Sequence, residues 1–204
     1  MTPRVFLLSP ASCSGARGKL LLRGDASFEL ALRLRHEGVE LGEVFSFVSA
    51  LYFRGKLTYA RRFASPPAGC PGVSVITSSR GLLAPDTSIG LGDLRGFARV
   101  AIDAENRRYV QALRAAAEEL RAQLTPSAEV GLLGSIASPK YVTTLVQVFG
   151  KSLLFPREFV GRGDMSRGGL LLRAARDGAE LDYQPVDGAT RRGERAKRLD
   201  AMAR

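Results

Sequence analysis

The sequence predicts a single α/β domain: a mostly parallel sheet with flanking helices, a short C-terminal hairpin and a basic tail. Three observations carry this. Short apolar runs at residues 4–9 (RVFLLS), 72–77 (GVSVIT), 129–135 (EVGLLGS) and 151–156 (KSLLFP) alternate with stretches of helical spacing, as βα units do. No segment keeps up the strict apolar/polar alternation of an all-β fold, and 204 residues suit one core. The domain is expected over residues 1–187 and the tail over 188–204.

Residues 4–9 end at Pro10 and read as a buried first strand, followed by a small, polar segment over 11–19. Asp25 and Ser27 are candidate caps for a helix running to about Glu37, which Gly38 ends. Residues 44–48 fit a second strand or the start of a helix. Residues 49–64 have helical spacing, stopped by Pro66 and Pro67. After the strand at 72–77 comes a turn, Ser78-Ser79-Arg80-Gly81, and residues 82–100 read as an irregular excursion. Val110, Leu113, Ala117, Leu120 and Leu124 repeat at three- and four-residue spacing, predicting a helix over 103–124 with Asp103 as N-cap. The strand at 129–135 leads to Ser138-Pro139, which opens a helix to about Phe149. Residues 170–173 and 181–185, around the turn Arg176-Asp177-Gly178, read as a closing hairpin.

The composition excludes several classes of function. The chain has two cysteines, Cys13 and Cys70, and one histidine, His36. A disulfide framework, a His-based metal site and a Ser-His-Asp triad are therefore not expected, nor is any cofactor. No apolar run approaches the roughly 20 residues of a membrane span, so no membrane partner is expected. The apolar N-terminal stretch is too short for a signal peptide, so the expected location is cytoplasmic. The net charge is +10, of which residues 189–204, with six basic and two acidic side chains, supply +4. Such a balance is the footprint of a nucleic-acid or nucleotide partner, although a coding bias toward arginine produces the same excess.

Residues 161–169, GRGDMSRGG, stand out because packing does not account for them. They read as a loop whose amides at Gly161 and Gly163, with Arg162, Ser166 and Arg167, hold a phosphate or carboxylate, while Asp164 acts as acid, base or hydrogen-bond acceptor. The other reading is a surface loop in which Asp164 pairs with an arginine. Ser135, Lys140 and Tyr141 follow a buried strand, where Lys140 suits a phosphate at a helix start and Tyr141 a stacked base; a solvated lysine and a core tyrosine fit equally. Arg80 and Gly81 form either a further anion contact or a tight turn. Cys13 is either a nucleophile activated by Lys19 or Arg17 or a small buried residue.

Three stretches carry a resemblance: SPASCSGARGK (9–19), ALYFRGKLTYAR (50–61) and ITSSRGLLAPD (76–86). Together, over roughly residues 5–90, they resemble the YaaA-like family and its uncharacterised relatives. The resemblance implies an α/β domain associated with nucleic acid or nucleobases. The resulting expectation is a protein of nucleotide or nucleobase chemistry, with Asp164 serving N-glycosidic cleavage as the leading reaction. The alternative is a non-catalytic nucleic-acid-binding protein that uses its basic face and tail for phosphates and Tyr52, Phe53 and Tyr59 for stacking.

Overall fold

A computed structural model describes residues 2–194 and residue 196. In chain order the elements are β1 (Arg4–Leu8), α1 (Ala16–Leu22), α2 (Glu29–His36), β2 (Val39–Glu40), α3 (Leu41–Phe63), β3 (Val73–Ile76), β4 (Leu82–Leu83), β5 (Ser88–Ile89) and α4 (Leu91–Arg99). Then follow α5 (Arg107–Gln123), β6 (Glu129–Leu133), α6 (Pro139–Phe149), β7 (Leu153–Pro156), α7 (Asp164–Asp177) and β8 (Tyr183–Pro185).

The four apolar runs form the parallel centre of a six-stranded sheet, in the order β4-β3-β1-β6-β7-β8. They are buried along nearly their whole length, as strands covered by helices on both faces must be. The two edge strands run antiparallel: β4 pairs with β3, and β8 with β7. β2 and β5 form a separate two-stranded ribbon.

The order of connections positions the site. From β1 the chain passes through three helices to β3 on one side of β1, and later enters β6 on the other side. The crossovers thus diverge at the β1/β6 boundary, which opens a crevice outside the carboxyl ends of these two strands. The register aligns those ends, with Leu8 opposite both Val75 and Leu133.

Of the two readings of residues 44–48 the helical one holds, because α3 begins at Leu41. Several other sequence expectations change. Residues 82–100 contain β4, β5 and α4. Asp25 pairs with Arg23 at 2.6 Å, and α2 starts after Phe28 without a side-chain cap. The N-cap of α5 is Asn106, whose side chain accepts from the Tyr109 amide. Residues 170–173 lie inside α7, so the C-terminal strand pairing is made by β7 and β8. Of the expected basic tail over 188–204, residue 195 and residues 197–204 lie outside the described residues. Among the described residues, no helix is long and apolar enough to cross a membrane.

α3 is interrupted. Ala50 sits at φ 47°, ψ −128°, conformational space that suits glycine, and splits the helix into two segments. A strained non-glycine residue costs roughly 1–3 kcal/mol, whereas glycine at the same place costs up to about 1 kcal/mol in chain entropy. Ala50→Gly is therefore expected to stabilise the protein by about 1 kcal/mol, read as a higher urea midpoint at unchanged slope. A lower midpoint would show that Ala50 carries no strain. The kink shapes the crevice, because Ser49 and Tyr52, on either side of it, both line it.

Candidate functional site

A cavity of about 710 Å3 occupies the crevice, within the roughly 300–1,000 Å3 range of small-ligand sites. The loop after β1 supplies Ser9, Ser12, Cys13 and Ser14; the loop after β6 and the first turn of α6 supply Ser135, Ser138, Lys140 and Tyr141. α3 contributes Ser49 and Tyr52, the end of α4 contributes Phe97 and Arg99, the residues after it Val100 and Ile102, and α7 contributes Asp164. The floor is buried and neutral in side-chain type, with Ser9, Cys13, Tyr52 and Tyr141 each under a tenth exposed. The rim is charged and exposed: Arg99, Lys140 and Asp164.

Beneath the floor lies Lys56, 1% exposed. Its Nζ donates to the Ser9 carbonyl at 2.6 Å and lies 2.8 Å from Ser9 Oγ, under the rings of Tyr52 and Phe53 at 4.6 and 4.9 Å. Burial pulls its pKa from 10.5 down to about 7, opposed by the negative charge of Asp164. Ser9 also interacts with the Tyr141 phenol, whose hydroxyl donates to the Ser135 carbonyl at 2.7 Å. Gly134 makes this contact possible, since a Cβ there would stand 2.7 Å from Ser9 Cβ and 2.8 Å from the Tyr141 hydroxyl. Burial pushes Tyr141 up to about 12, so it stays a phenol. The Tyr52 hydroxyl is buried, and the Arg167 guanidinium of α7 interacts with it.

Of the residues singled out from the sequence, Cys13, Ser135, Lys140, Tyr141 and Asp164 converge on this cavity. Of the two readings of Cys13 the structure matches the small buried residue: it is 3% exposed, burial pushes its thiol up to about 12, and Arg17, one of the two candidate activators, donates to the Phe47 carbonyl. Arg80 pairs with Asp93 at 2.9 Å away from the cavity. Gly81, at φ 63°, makes the tight turn before β4, and a Cβ there would meet the Ala112 carbonyl at 2.5 Å.

The expected anion loop over 161–169 is not a loop. α7 starts at Asp164, and Gly163 is its N-cap. Arg162 Nε donates to the Glu158 carbonyl at 3.0 Å and its NH1 to Ser166 Oγ at 3.2 Å. Arg167 is 8% exposed; its guanidinium donates to the Phe159 carbonyl at 3.1 and 3.2 Å and holds Asp164 at 3.2 Å. Gly161, at φ 73°, turns the chain, and its carbonyl accepts from the Ala196 amide at 3.3 Å. Gly161, Arg162, Gly163, Ser166 and Arg167 thus shape the segment that carries Asp164 and do not line the cavity.

Sequence reasoning missed Ser9, Lys56 and Arg99. The signal for Lys56 is nevertheless present: with Tyr52, Tyr59 and Ala60 it sits at helical spacing on the apolar stripe of α3, where a lysine is out of place. Ser9 is the first residue beyond β1, the position that α/β sheets give to ligand contacts.

The cavity and its topology define the chain as an α/β protein with a cavity at the topological switch point of its sheet. No family model, curated protein or solved structure matches it.

Proposed function

We propose that the protein is an enzyme that binds a phosphate-bearing small molecule of the nucleotide class in the β1/β6 cavity. The observation that supports this best is the convergence, at one switch-point crevice, of a cationic rim with a hydroxyl- and aromatic-lined floor. Lys140 and the start of α6 suit the phosphate, because a helix N-terminus and an ammonium both favour an anion. Asp164, the one carboxylate among the described lining residues, is placed to accept from a sugar hydroxyl or base amine. The resemblance of residues 5–90 to YaaA-like proteins points to the same ligand class.

The geometry favours the floor over the rim as the place of reaction. Asp164 is exposed, while Ser9 and Lys56 are buried and directly bonded to each other. N-glycosidic cleavage with Asp164 as acid–base group is thereby the less supported chemistry. The polymer-binding alternative loses its stacking surface, because Tyr52, Phe53 and Tyr59 are 5%, 0% and 0% exposed.

The test is a thermal-shift comparison of nucleotides, nucleosides, nucleobases and short DNA and RNA on wild type and Lys140→Ala. A mononucleotide present at about 100 times its Kd is expected to add about 2.7 kcal/mol of stability to wild type and less to the variant. Stabilisation by long polyanions alone, equal in both proteins and steeply salt-dependent, would overturn the reading in favour of a sequence-independent nucleic-acid binder.

A further inference from the structure

We propose that Ser9 is a catalytic nucleophile with Lys56 as its base, attacking the carbonyl carbon of an anionic ester or amide bound in the β1/β6 cavity. The pair has the geometry of a nucleophile and base, with Lys56 Nζ 2.8 Å from Ser9 Oγ. Lys56 is 1% exposed, and no carboxylate is bonded to it among the described residues. A charged ammonium here would be held only by the neutral Ser9 carbonyl and hydroxyl and the faces of Tyr52 and Phe53, and desolvation of a fully buried charge with no carboxylate partner exceeds what such contacts return. A neutral amine at this place resolves the conflict, and its lone pair then faces the serine hydroxyl.

The reaction balances with groups already present. Ser9 Oγ forms a bond to the carbonyl carbon while its proton passes to Lys56 Nζ. The tetrahedral intermediate collapses, the C–O or C–N bond to the leaving group breaks, and the leaving group takes the proton back from Lys56. Water then attacks the acyl-serine with Lys56 again as base, releasing the acid and restoring both residues. Tyr141, which interacts with the Ser9 side chain, orients the serine. Lys140 and Arg99 at the rim hold the anionic portion of the substrate.

The base form of Lys56 is abundant at neutral pH because burial brings its pKa to about 7. The other groups facing this floor are Asp164 and Arg167 from α7, Tyr141 from α6, Tyr52 from α3 and Cys13 from the loop after β1. Burial raises the two tyrosines and the cysteine, so Lys56 is the group that titrates near neutrality.

The test needs no substrate. Methanesulfonyl fluoride, a small serine-directed electrophile, forms a Ser O–S bond as its S–F bond breaks, with the proton going to Lys56 and fluoride leaving. Peptide mapping by mass spectrometry is expected to find one adduct, on Ser9, forming at a rate that rises through about pH 7. The rate should fall about a hundredfold or more in Lys56→Met, and the adduct should be absent in Ser9→Ala. Circular dichroism and urea unfolding establish that both variants are folded; if either is not, wild-type mapping and its pH profile decide alone. No adduct on wild type, an adduct on Cys13 or Lys56 in place of Ser9, or an equal rate in folded Lys56→Met would each overturn the proposal. The inference uses the cavity assigned above as a reaction site but not the class of its ligand. Failed labelling with intact nucleotide binding would remove the nucleophile and leave the binding reading standing.

Discussion

Lys56→Met is expected to abolish a rise of protein stability with pH between about pH 7 and 9. In the folded chain Lys56 loses its proton near pH 7, whereas in the unfolded chain it keeps the proton to about 10.5. Between those values the unfolded state binds one more proton, so unfolding becomes harder as pH rises, by about 1.4 kcal/mol per pH unit. Below pH 7 both states are protonated and the fold bears the full cost of the buried ammonium, on the order of 5 kcal/mol for the whole shift. Above pH 9 the trend levels off. Cys13 is raised to about 12, so from about pH 9 the unfolded chain loses that proton first; this fall offsets the Lys56 rise up to about pH 10.5, and stability decreases beyond it. The clean window is therefore pH 7–9, over which wild type should gain roughly 2 kcal/mol, the slope being half-developed at pH 7 and damped by Cys13 at pH 9.

Methionine keeps the length of the lysine stem without the titrating group. It withdraws a donor from the Ser9 carbonyl, which costs about 1–3 kcal/mol. That loss is smaller than the buried-charge penalty at low pH. Lys56→Met should thus be the more stable protein at pH 6, and its lead should shrink as pH rises to 9. Urea unfolding of both proteins at pH 6, 7, 8 and 9 measures this. Parallel pH dependences would show that Lys56 keeps its proton throughout, which removes its role as a base as well.

The parts of the fold visible in the sequence are those set by local pattern. The four buried strands are continuous apolar runs, and α5 carries an apolar repeat over more than four turns, so each element specifies itself. The cavity is half visible for a related reason: Ser135, Lys140 and Tyr141 follow a recognisable strand, and such positions face the ligand edge of a sheet. What local pattern does not contain is who pairs with whom. Arg80 finds Asp93 thirteen residues on, and Arg167 turns back to the Phe159 carbonyl, so arginines that look available in the sequence are already engaged. The glycines of 161–169 suggest, in sequence, the freedom of a loop. Gly168 is instead there for lack of bulk, since a Cβ on it would stand 2.9 Å from Leu51 O and Tyr52 Cα. Composition cannot tell a glycine that turns a chain from one that lets two helices touch.

That distinction gives the second large effect. Gly55 of α3 and Gly168 of α7 meet where the two helices cross, and a Cβ on Gly55 would lie 2.6 Å from the Gly168 carbonyl oxygen and 3.0 Å from its Cα. Both neighbours are backbone atoms, so no side chain can rotate away and one helix must move. Helix propensity alone predicts that Gly55→Ala stabilises by up to about 1 kcal/mol. Overpacking of a close helix crossing costs about 1–3 kcal/mol or more, and here it outweighs propensity because the overlap is with rigid backbone. Gly55→Ala should therefore destabilise by roughly 2 kcal/mol. Gly96→Ala in α4 is the internal comparison: its nearest neighbour is Ser79 Oγ at 3.8 Å, so propensity should win there and stabilise by about 0.5–1 kcal/mol. Urea midpoints of the two variants should move in opposite directions; a shared upward shift would mean that the crossing has room. The consequence reaches the site, because α3 carries Tyr52 and Lys56 while α7 carries Asp164. Spreading the helices draws the floor away from the rim, so Gly55→Ala should also lose ligand-induced stabilisation that Gly96→Ala retains.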